Sequence, residues 1–124
     1  MSKILAIDYG LKRIGLAITD QKQKIVFPYL TLNNDKFVLD ELKEICQKEN
    51  IKKIIIGLPI GLNSQRTKQT EEVEKFIKSL KRKMKISVIQ EDERLTSKMA
   101  ERFLKNNQDE ISAMIILQSY LERI

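Results

Sequence analysis

The sequence predicts an α/β fold with a mixed five-stranded sheet and helices on both of its faces. Three β-rich runs come first along the chain, and turn residues separate them. Two further apolar runs then alternate with segments whose apolar residues recur at helical spacing, as in parallel strands joined by crossover helices. Because the chain has 124 residues, we expect residues 1–124 to form a single domain.

The first three runs predict an antiparallel meander. They are Lys3–Asp8 (KILAID), Arg13–Thr19 (RIGLAIT) and Lys24–Leu32 (KIVFPYLTL). The first run is too short for a helix, and a turn at residues 9–12 separates it from the second. Pro28 cannot donate a hydrogen bond to a central ladder, so the third strand is expected at an edge of the sheet.

Helices and strands alternate along the rest of the chain. Asn34 or Asp35 is expected to cap a helix that carries Val38, Leu42 and Ile45 on one face. The later elements are predicted as a strand at Ile51–Gly57, a helix at Thr67–Arg82, a strand at Lys85–Gln90 and helices at Ser97–Lys105 and Asp109–Arg123. Right-handed crossovers then give the strand order 3-2-1-4-5, with strand 2 antiparallel to strand 1.

The composition narrows the classes of function. A formal charge of +6 and a pI near 9.4 favour polyanionic partners, although a generally lysine-rich composition explains them equally well. The richest basic run, Lys78–Lys85 (KSLKRKMK), is assigned to a helix C-terminus, where cations are favoured. The chain has no histidine, which excludes imidazole bases and histidine-ligated zinc. Any chemistry must therefore use carboxylates, lysines, hydroxyls or metals.

Cysteine content and hydropathy indicate a cytoplasmic protein. Cys46, the single cysteine, falls among apolar positions of a predicted helix and is expected to pack there in a reducing compartment. The longest nearly apolar stretch, Ile54–Leu62, is interrupted by Gly57, Pro59 and Gly61. We therefore expect neither a signal peptide nor a membrane span.

Acidic residues stand at the ends of predicted elements. Asp8 ends the first strand, Asp92 and Glu93 follow the fifth, and Asp109 opens the final helix. Taken singly, these acids are typical of a turn, a solvated loop and a helix N-cap. In the predicted topology, however, the carboxyl ends of the first and fifth strands lie near each other, where open α/β sheets bind ligands. Acids gathered there predict a site for Mg²⁺ or Mn²⁺, a pair of which can promote phosphodiester cleavage.

Basic residues flank the predicted acids. Lys12 and Arg13 follow Asp8, Arg66 lies in the loop after the fourth strand, and Arg94 follows Glu93. Such side chains could hold the phosphates on either side of a scissile bond. The alternative is that they are ordinary solvated surface charge.

Four segments together resemble the YqgF/RuvX family of ribonuclease H-like proteins. They are Ile4–Ala17 (ILAIDYGLKRIGLA), Ile55–Pro59 (IIGLP), Asp92–Ser97 (DERLTS) and Asp109–Leu121 (DEISAMIILQSYL). The resemblance spans almost the whole chain. It implies a ribonuclease H-like fold and a nuclease, a hydrolase of phosphodiester bonds that processes the precursor of 16S ribosomal RNA during ribosome biogenesis.

Carried over by motif, the catalytic and metal-binding acids of this family fall on Asp8, Glu93 and Asp109. The chain departs from the family pattern in two places. The segment that leads into Asp109 is only residues 106–108, whereas relatives often have a longer basic segment there. In the loop after the fourth strand, Ser64 stands where a further glycine is common. The resemblance implies nucleic acid as the partner, with precursor ribosomal RNA first and branched DNA second, and leaves the oligomeric state open.

Three other functions remain open at this stage. The family is related by fold to Holliday junction resolvases, so a DNA junction is one alternative substrate. A second alternative is a ribosome assembly factor that binds nucleic acid without cutting it. Asp8-Tyr9-Gly10 followed by Gly15 also resembles the first phosphate-binding hairpin of actin-like and sugar-kinase ATPases. Those enzymes enclose ATP between two such domains, and this chain has the length of one.

Overall fold

A computed structural model of the chain describes residues 2–58, 68–92 and 109–123. The strands are β1 (Lys3–Tyr9), β2 (Arg13–Thr19), β3 (Val26–Asn33), β4 (Ile51–Leu58) and β5 (Ser87–Asp92); the helices are α1 (Val38–Lys48), α2 (Lys68–Lys83) and α3 (Asp109–Arg123). The strands form one sheet in the order β3-β2-β1-β4-β5. The predicted order 3-2-1-4-5 is therefore confirmed.

Strand directions also follow the prediction. β1 is antiparallel to β2 and parallel to β4, and β4 is parallel to β5. β3 lies at the sheet edge, where a register shift next to the pair Ala17–Pro28 accommodates the proline. This arrangement brings the carboxyl ends of β1, β4 and β5 to the same end of the sheet, as a ligand site of an open α/β sheet requires.

One face of the sheet carries α1 and α2. Side chains from alternate strand positions, including Leu5, Ile7, Ile54 and Ile56, form a buried cluster with the apolar sides of these two helices. From α1 the cluster takes Val38, Leu42 and Cys46, and from α2 it takes Val73, Phe76, Ile77 and Leu80. Cys46 is buried, so its predicted packing role is confirmed.

The opposite face carries α3. The intervening strand positions, among them Ile4, Ala6, Ala17 and Ile55, form a second cluster with a row of α3 side chains. That row is Ala113, Ile116, Leu117 and Tyr120. The final helix is therefore buried against the sheet as predicted, and helices cover both faces.

Two local predictions need correction. Neither Asn34 nor Asp35 is the N-cap residue of α1, because the helix starts after Phe37, which makes no side-chain capping bond. Asp35 instead accepts a hydrogen bond from the backbone N–H of Phe37 through its Oδ1 atom (3.0 Å), whereas Asn34 bonds elsewhere. The second correction is at β5, which continues through Glu91 and Asp92 rather than ending at Gln90. The predicted helix at 97–105 lies outside the described residues.

Within residues 2–58, 68–92 and 109–123, no helix is both long and apolar enough to cross a membrane.

Candidate active site

Asp8 occupies the carboxyl end of β1 on the face that carries α3. It follows Ile4 and Ala6 on alternate positions, and both of those side chains pack in the α3 cluster. Asp8 is half-buried, and its Cα partner on β2 is Gly15, which has no side chain. A carboxylate therefore stands at the predicted ligand-binding end of the sheet, opposite a residue without a side chain.

The strand that carries Asp8 is held from its other face by an aromatic contact. Tyr9, the next residue, points the opposite way, and its ring centroid lies 4.9 Å from that of Phe76 on α2. The two rings are tilted by 49°. This contact ties the end of β1 to α2 and limits the movement of the neighbouring carboxylate.

The turn after Asp8 is shaped by Gly10 and anchored by Asn34. A Cβ atom at Gly10 would lie 2.5 Å from the carbonyl oxygen of Arg13, so only glycine allows this close backbone approach. Asn34 donates from Nδ2 to the carbonyl oxygen of Gly10 (2.8 Å) and from its backbone N–H to the carbonyl oxygen of Lys12 (2.9 Å). The residue predicted as a possible helix cap is thus a brace for the turn that follows Asp8.

Two of the four predicted phosphate contacts lie on this turn. Lys12 and Arg13 are both exposed, and Arg13 shares a sheet face with Gly15 and Ala17, and therefore with Asp8. The structure thus brings these two basic residues to the same end of the sheet as the acid. Arg66 and Arg94, the other two predicted contacts, lie outside the described residues.

The two remaining predicted acids are described only in part. Glu93 lies outside the described residues, and the position of Asp109 is described as the first residue of α3 but its side chain is not. α3 covers the sheet face to which Asp8 belongs. Among the side chains that the structure does describe, no three acidic or cysteine groups gather as a metal site would require.

Glu91 is an acid of the Asp8 face that the sequence prediction missed. It follows Ile89, which packs on the α3 cluster, and its side chain is fully buried. Ile7 pairs with Ile56 on β4, and Ile56 pairs with Gln90 on β5, so the next residues of β1 and β5, Asp8 and Glu91, are also level with each other. One strand separates them, which places their Cα atoms about 10 Å apart. The signal available in the sequence was the alternation of β5, which is visible only if the strand is extended past Gln90.

Arg123 of α3 pairs with this buried acid. Its guanidinium donates to Glu91 Oε2 at 2.6 Å, and the arginine side chain is 51% exposed while that of the glutamate is 0% exposed. The second oxygen, Oε1, is buried and has no hydrogen-bond partner among the described residues. The ion pair joins the end of β5, two residues before Glu93, to the helix that Asp109 begins.

The sheet order β3-β2-β1-β4-β5, with helices on both faces and an acid at the carboxyl end of β1, is that of a ribonuclease H-like fold. A family model described as Holliday junction resolvase, RuvX, matches residues 2–123. The chain belongs to the RuvX family, as the sequence resemblance predicted, and is an enzyme that hydrolyses phosphodiester bonds.

Curated relatives agree with this assignment over nearly the whole chain. A protein of Rickettsia typhi is 38% identical over 133 residues, which cover 98% of this chain and 85% of that protein. A protein of a Sulfurihydrogenibium species is 37% identical over an alignment of 134 residues, which covers 100% of this chain and 92% of that protein. Both carry the name of a candidate pre-16S rRNA nuclease.

Solved structures show the same fold at low sequence identity. The RuvC protein of T. thermophilus in complex with a Holliday junction substrate superposes with a TM-score of 0.66 at 9% identity, and the match covers 99% of this chain and 96% of that one. The fowlpox virus Holliday junction resolvase gives 0.58 at 15% identity, with 98% and 99% covered.

A hexokinase of Thermus thermophilus gives a TM-score of 0.50 at 19% identity, and the match covers 86% of this chain but only 39% of the hexokinase. The resemblance to the kinase hairpin thus reflects a shared fold, and the hexokinase is much longer than this chain.

Proposed function

We propose that this protein is a divalent-metal-dependent endonuclease that processes the precursor of 16S ribosomal RNA in the cytoplasm, during ribosome biogenesis. The observation that carries the proposal is the position of Asp8, a half-buried carboxylate at the carboxyl end of the central strand, beside an exposed basic turn. The names of the curated relatives support precursor ribosomal RNA as the substrate. A four-way DNA junction is the second candidate, because the family description and two structural neighbours name it.

The donor chemistry of the chain fits Mg²⁺ or Mn²⁺. Both ions prefer oxygen ligands, and a chain without histidine offers carboxylates at Asp8, Glu93 and Asp109. β1 and α3 present two of these positions on the same face of the sheet. When bound, the metal would supply an activated water and charge stabilisation at the leaving oxygen.

The protein's own residues would position the substrate. Lys12 and Arg13 lie exposed on the turn after Asp8, and we propose that they bind phosphates on either side of the scissile bond, together with Arg66 and Arg94. Asn34 holds the backbone of this turn through the carbonyl groups of Gly10 and Lys12. Tyr9, packed on Phe76, restrains the strand end from the opposite face.

The decisive experiment compares the wild-type protein with Asp8→Asn on precursor 16S RNA and on a four-way DNA junction, with Mg²⁺ or Mn²⁺ present. Asparagine keeps the size of aspartate but loses the charge that a divalent ion requires, so cleavage should be abolished while the fold is retained. Nucleic-acid binding should persist, because it depends mainly on the basic residues. Cleavage by the variant at the wild-type rate under saturating metal would remove Asp8 from the mechanism.

Two controls separate the parts of the proposal. Addition of Mg²⁺ or Mn²⁺ should raise the melting temperature of the wild-type protein and not that of Asp8→Asn, since binding to the native state stabilises it. The preferred substrate of the wild-type protein distinguishes a ribosomal RNA nuclease from a junction resolvase. A wild-type protein that binds either substrate without cutting it, with every metal tested, would identify a binding factor instead.

A further inference from the structure

A cleft lined by four lysines lies at the end of the sheet opposite Asp8. It has a volume of about 490 Å³ and opens between the carboxyl-terminal part of α1, the end of α2 and the starts of β4 and β5. The lysines are Lys43, Lys52, Lys83 and Lys85, and all four are exposed. No acidic side chain is among the described residues that line the cleft.

Helix-end electrostatics accounts for only part of this cluster. Lys83 ends α2, where a cation is favoured by the helix dipole, and it pairs with Asp40 of α1. Lys85 follows the end of α2 by two residues, but Lys43 lies within α1 and Lys52 in β4, so these two do not belong to a helix C-terminus. The basic run that the sequence assigned to a helix C-terminus thus contributes two side chains to a cluster whose other members come from different elements.

Nearby acidic groups neutralise little of the positive charge of the four lysines in the cleft. The pair with Lys83 lowers the pKa of Asp40, which keeps that carboxylate charged and offsets one of the four lysines. The floor is apolar, with Cys46, Ile51 and Met84 buried beneath the lysines. Burial raises the pKa of the Cys46 thiol to about 11, so it adds no negative charge at neutral pH.

We propose that this lysine cleft is a second contact site for the phosphate backbone of the nucleic-acid substrate, separate from the Asp8 end of the sheet. The inference rests on the nuclease function, because a polymeric substrate supplies phosphates at a distance from the scissile bond. A row of phosphates matches several lysines that converge from separate elements, and contact with them releases counterions. A small anion would need only one or two of these cations.

The geometry sets a minimum length for a substrate that reaches both sites. Gly57, the residue of β4 that is level with Asp8, lies five residues after Lys52. That separation is about 17 Å along the strand, and the path around the sheet is longer because α1 and α2 cover the face opposite to Asp8. With one phosphate per about 3.4 Å of a stacked strand, a substrate that contacts both sites has at least about five nucleotides beyond the cut.

The test uses Lys52→Gln/Lys85→Gln, because these two lysines are exposed and lie outside the helices. The matched control is Lys78→Gln/Lys81→Gln, which removes the same charge from exposed positions of α2 that do not line the cleft. A third variant, Lys52→Arg/Lys85→Arg, keeps the charge. Binding of a single-stranded oligoribonucleotide of about 16 nucleotides, about three times the minimum span, is measured by fluorescence anisotropy without metal over a range of salt concentrations.

The cleft variant should bind about tenfold more weakly at low salt, a value at the upper end for two exposed ion pairs. The slope of log affinity against log salt should become shallower by about 0.7 for each lysine lost. The control should change much less, and the arginine variant should bind as the wild type does. Cleavage of a substrate with fewer than about five nucleotides beyond the cut should keep its wild-type KM and kcat.

Equal weakening by the cleft variant and the control would overturn the proposal, since it would show only an effect of net charge. Unchanged affinity in the cleft variant would also overturn it. Failure of the nuclease function is a separate result, because it is seen as absent cleavage by the wild-type protein whatever the binding data show.

Discussion

Arg123→Met should destabilise the protein strongly, because it removes the ion-pair partner of the buried Glu91 carboxyl group. The Glu91 side chain is 0% exposed, and its only described hydrogen bond is the 2.6 Å contact from Arg123. Removal of one partner from a buried ion pair costs about 3–5 kcal/mol. Since the arginine is 51% exposed, part of its attraction is already screened, and we expect the lower end, about 3 kcal/mol.

The corresponding shift in melting temperature follows from the size of the chain. An unfolding entropy of about 2.1 cal/mol/K per residue gives about 260 cal/mol/K for 124 residues, so 3 kcal/mol lowers the melting temperature by about 11 °C. Thermal unfolding followed by circular dichroism measures the shift, and urea unfolding gives the free energy at 25 °C.

The control is Arg82→Met, which changes an exposed arginine in the last turn of α2 and should alter stability by no more than about 0.5 kcal/mol. The double variant Glu91→Gln/Arg123→Met should recover much of the loss, because a neutral amide replaces the stranded charge. If Arg123→Met is no more destabilising than Arg82→Met, the ion pair does not tie β5 to α3 and the reasoning fails.

Three further predictions concern the described part of the chain. Gly10→Ala should lower the free energy of unfolding by about 2 kcal/mol, because the added Cβ would lie 2.5 Å from the Arg13 carbonyl oxygen. The turn must then shift, so the rate of cleavage should fall. Full activity of the variant would contradict the role given to this close backbone contact. The Cys46 thiol, with its pKa raised to about 11 by burial, should resist alkylation at pH 8 until the protein unfolds, and rapid labelling of native protein would refute this. The hydrogen bond from Lys3, and then that from Tyr29, lowers the pKa of the Glu49 carboxyl. The charged Glu49 carboxylate therefore contributes its full stabilisation above the unfolded pKa of about 4.3, and this contribution is lost as the pH falls below that value. Between pH 6 and acidic pH, Glu49→Gln should consequently lose less stability than the wild type does. If the two proteins lose stability identically over this range, the carboxylate contributes nothing.

The order and type of the main elements could be predicted from local patterns. Alternating and helical spacings of apolar residues depend only on neighbours in the chain, and Pro28 marked the edge strand because proline lacks an N–H group wherever it lies. The position of Asp8 followed from the same reasoning, since the end of a strand and the rules of crossover connection place it at the ligand-binding end of the sheet. The absence of histidine excludes imidazole bases and histidine-ligated zinc whatever the fold is.

Other features depended on contacts between residues far apart in the sequence. Asn34 is a residue type that often caps helices, yet α1 begins only after Phe37, and the Asn34 amide bonds instead to Gly10, 24 positions away. Glu91 had no motif to mark it, and its burial and its partner Arg123, 32 positions away, exist only when α3 packs across the sheet.

The lysine cleft, unlike the basic run Lys78–Lys85, also depends on contacts between residues far apart in the sequence. Lys83 and Lys85 are close to each other in the sequence, but Lys43 and Lys52 join them only through the packing of α1 and the two parallel strands. The sheet order, most of the elements and the family could be predicted from the sequence, because these follow from local periodicity and motif. The tertiary structure alone decided which distant charges meet, because electrostatic contacts depend on separation in space and burial rather than on position along the chain.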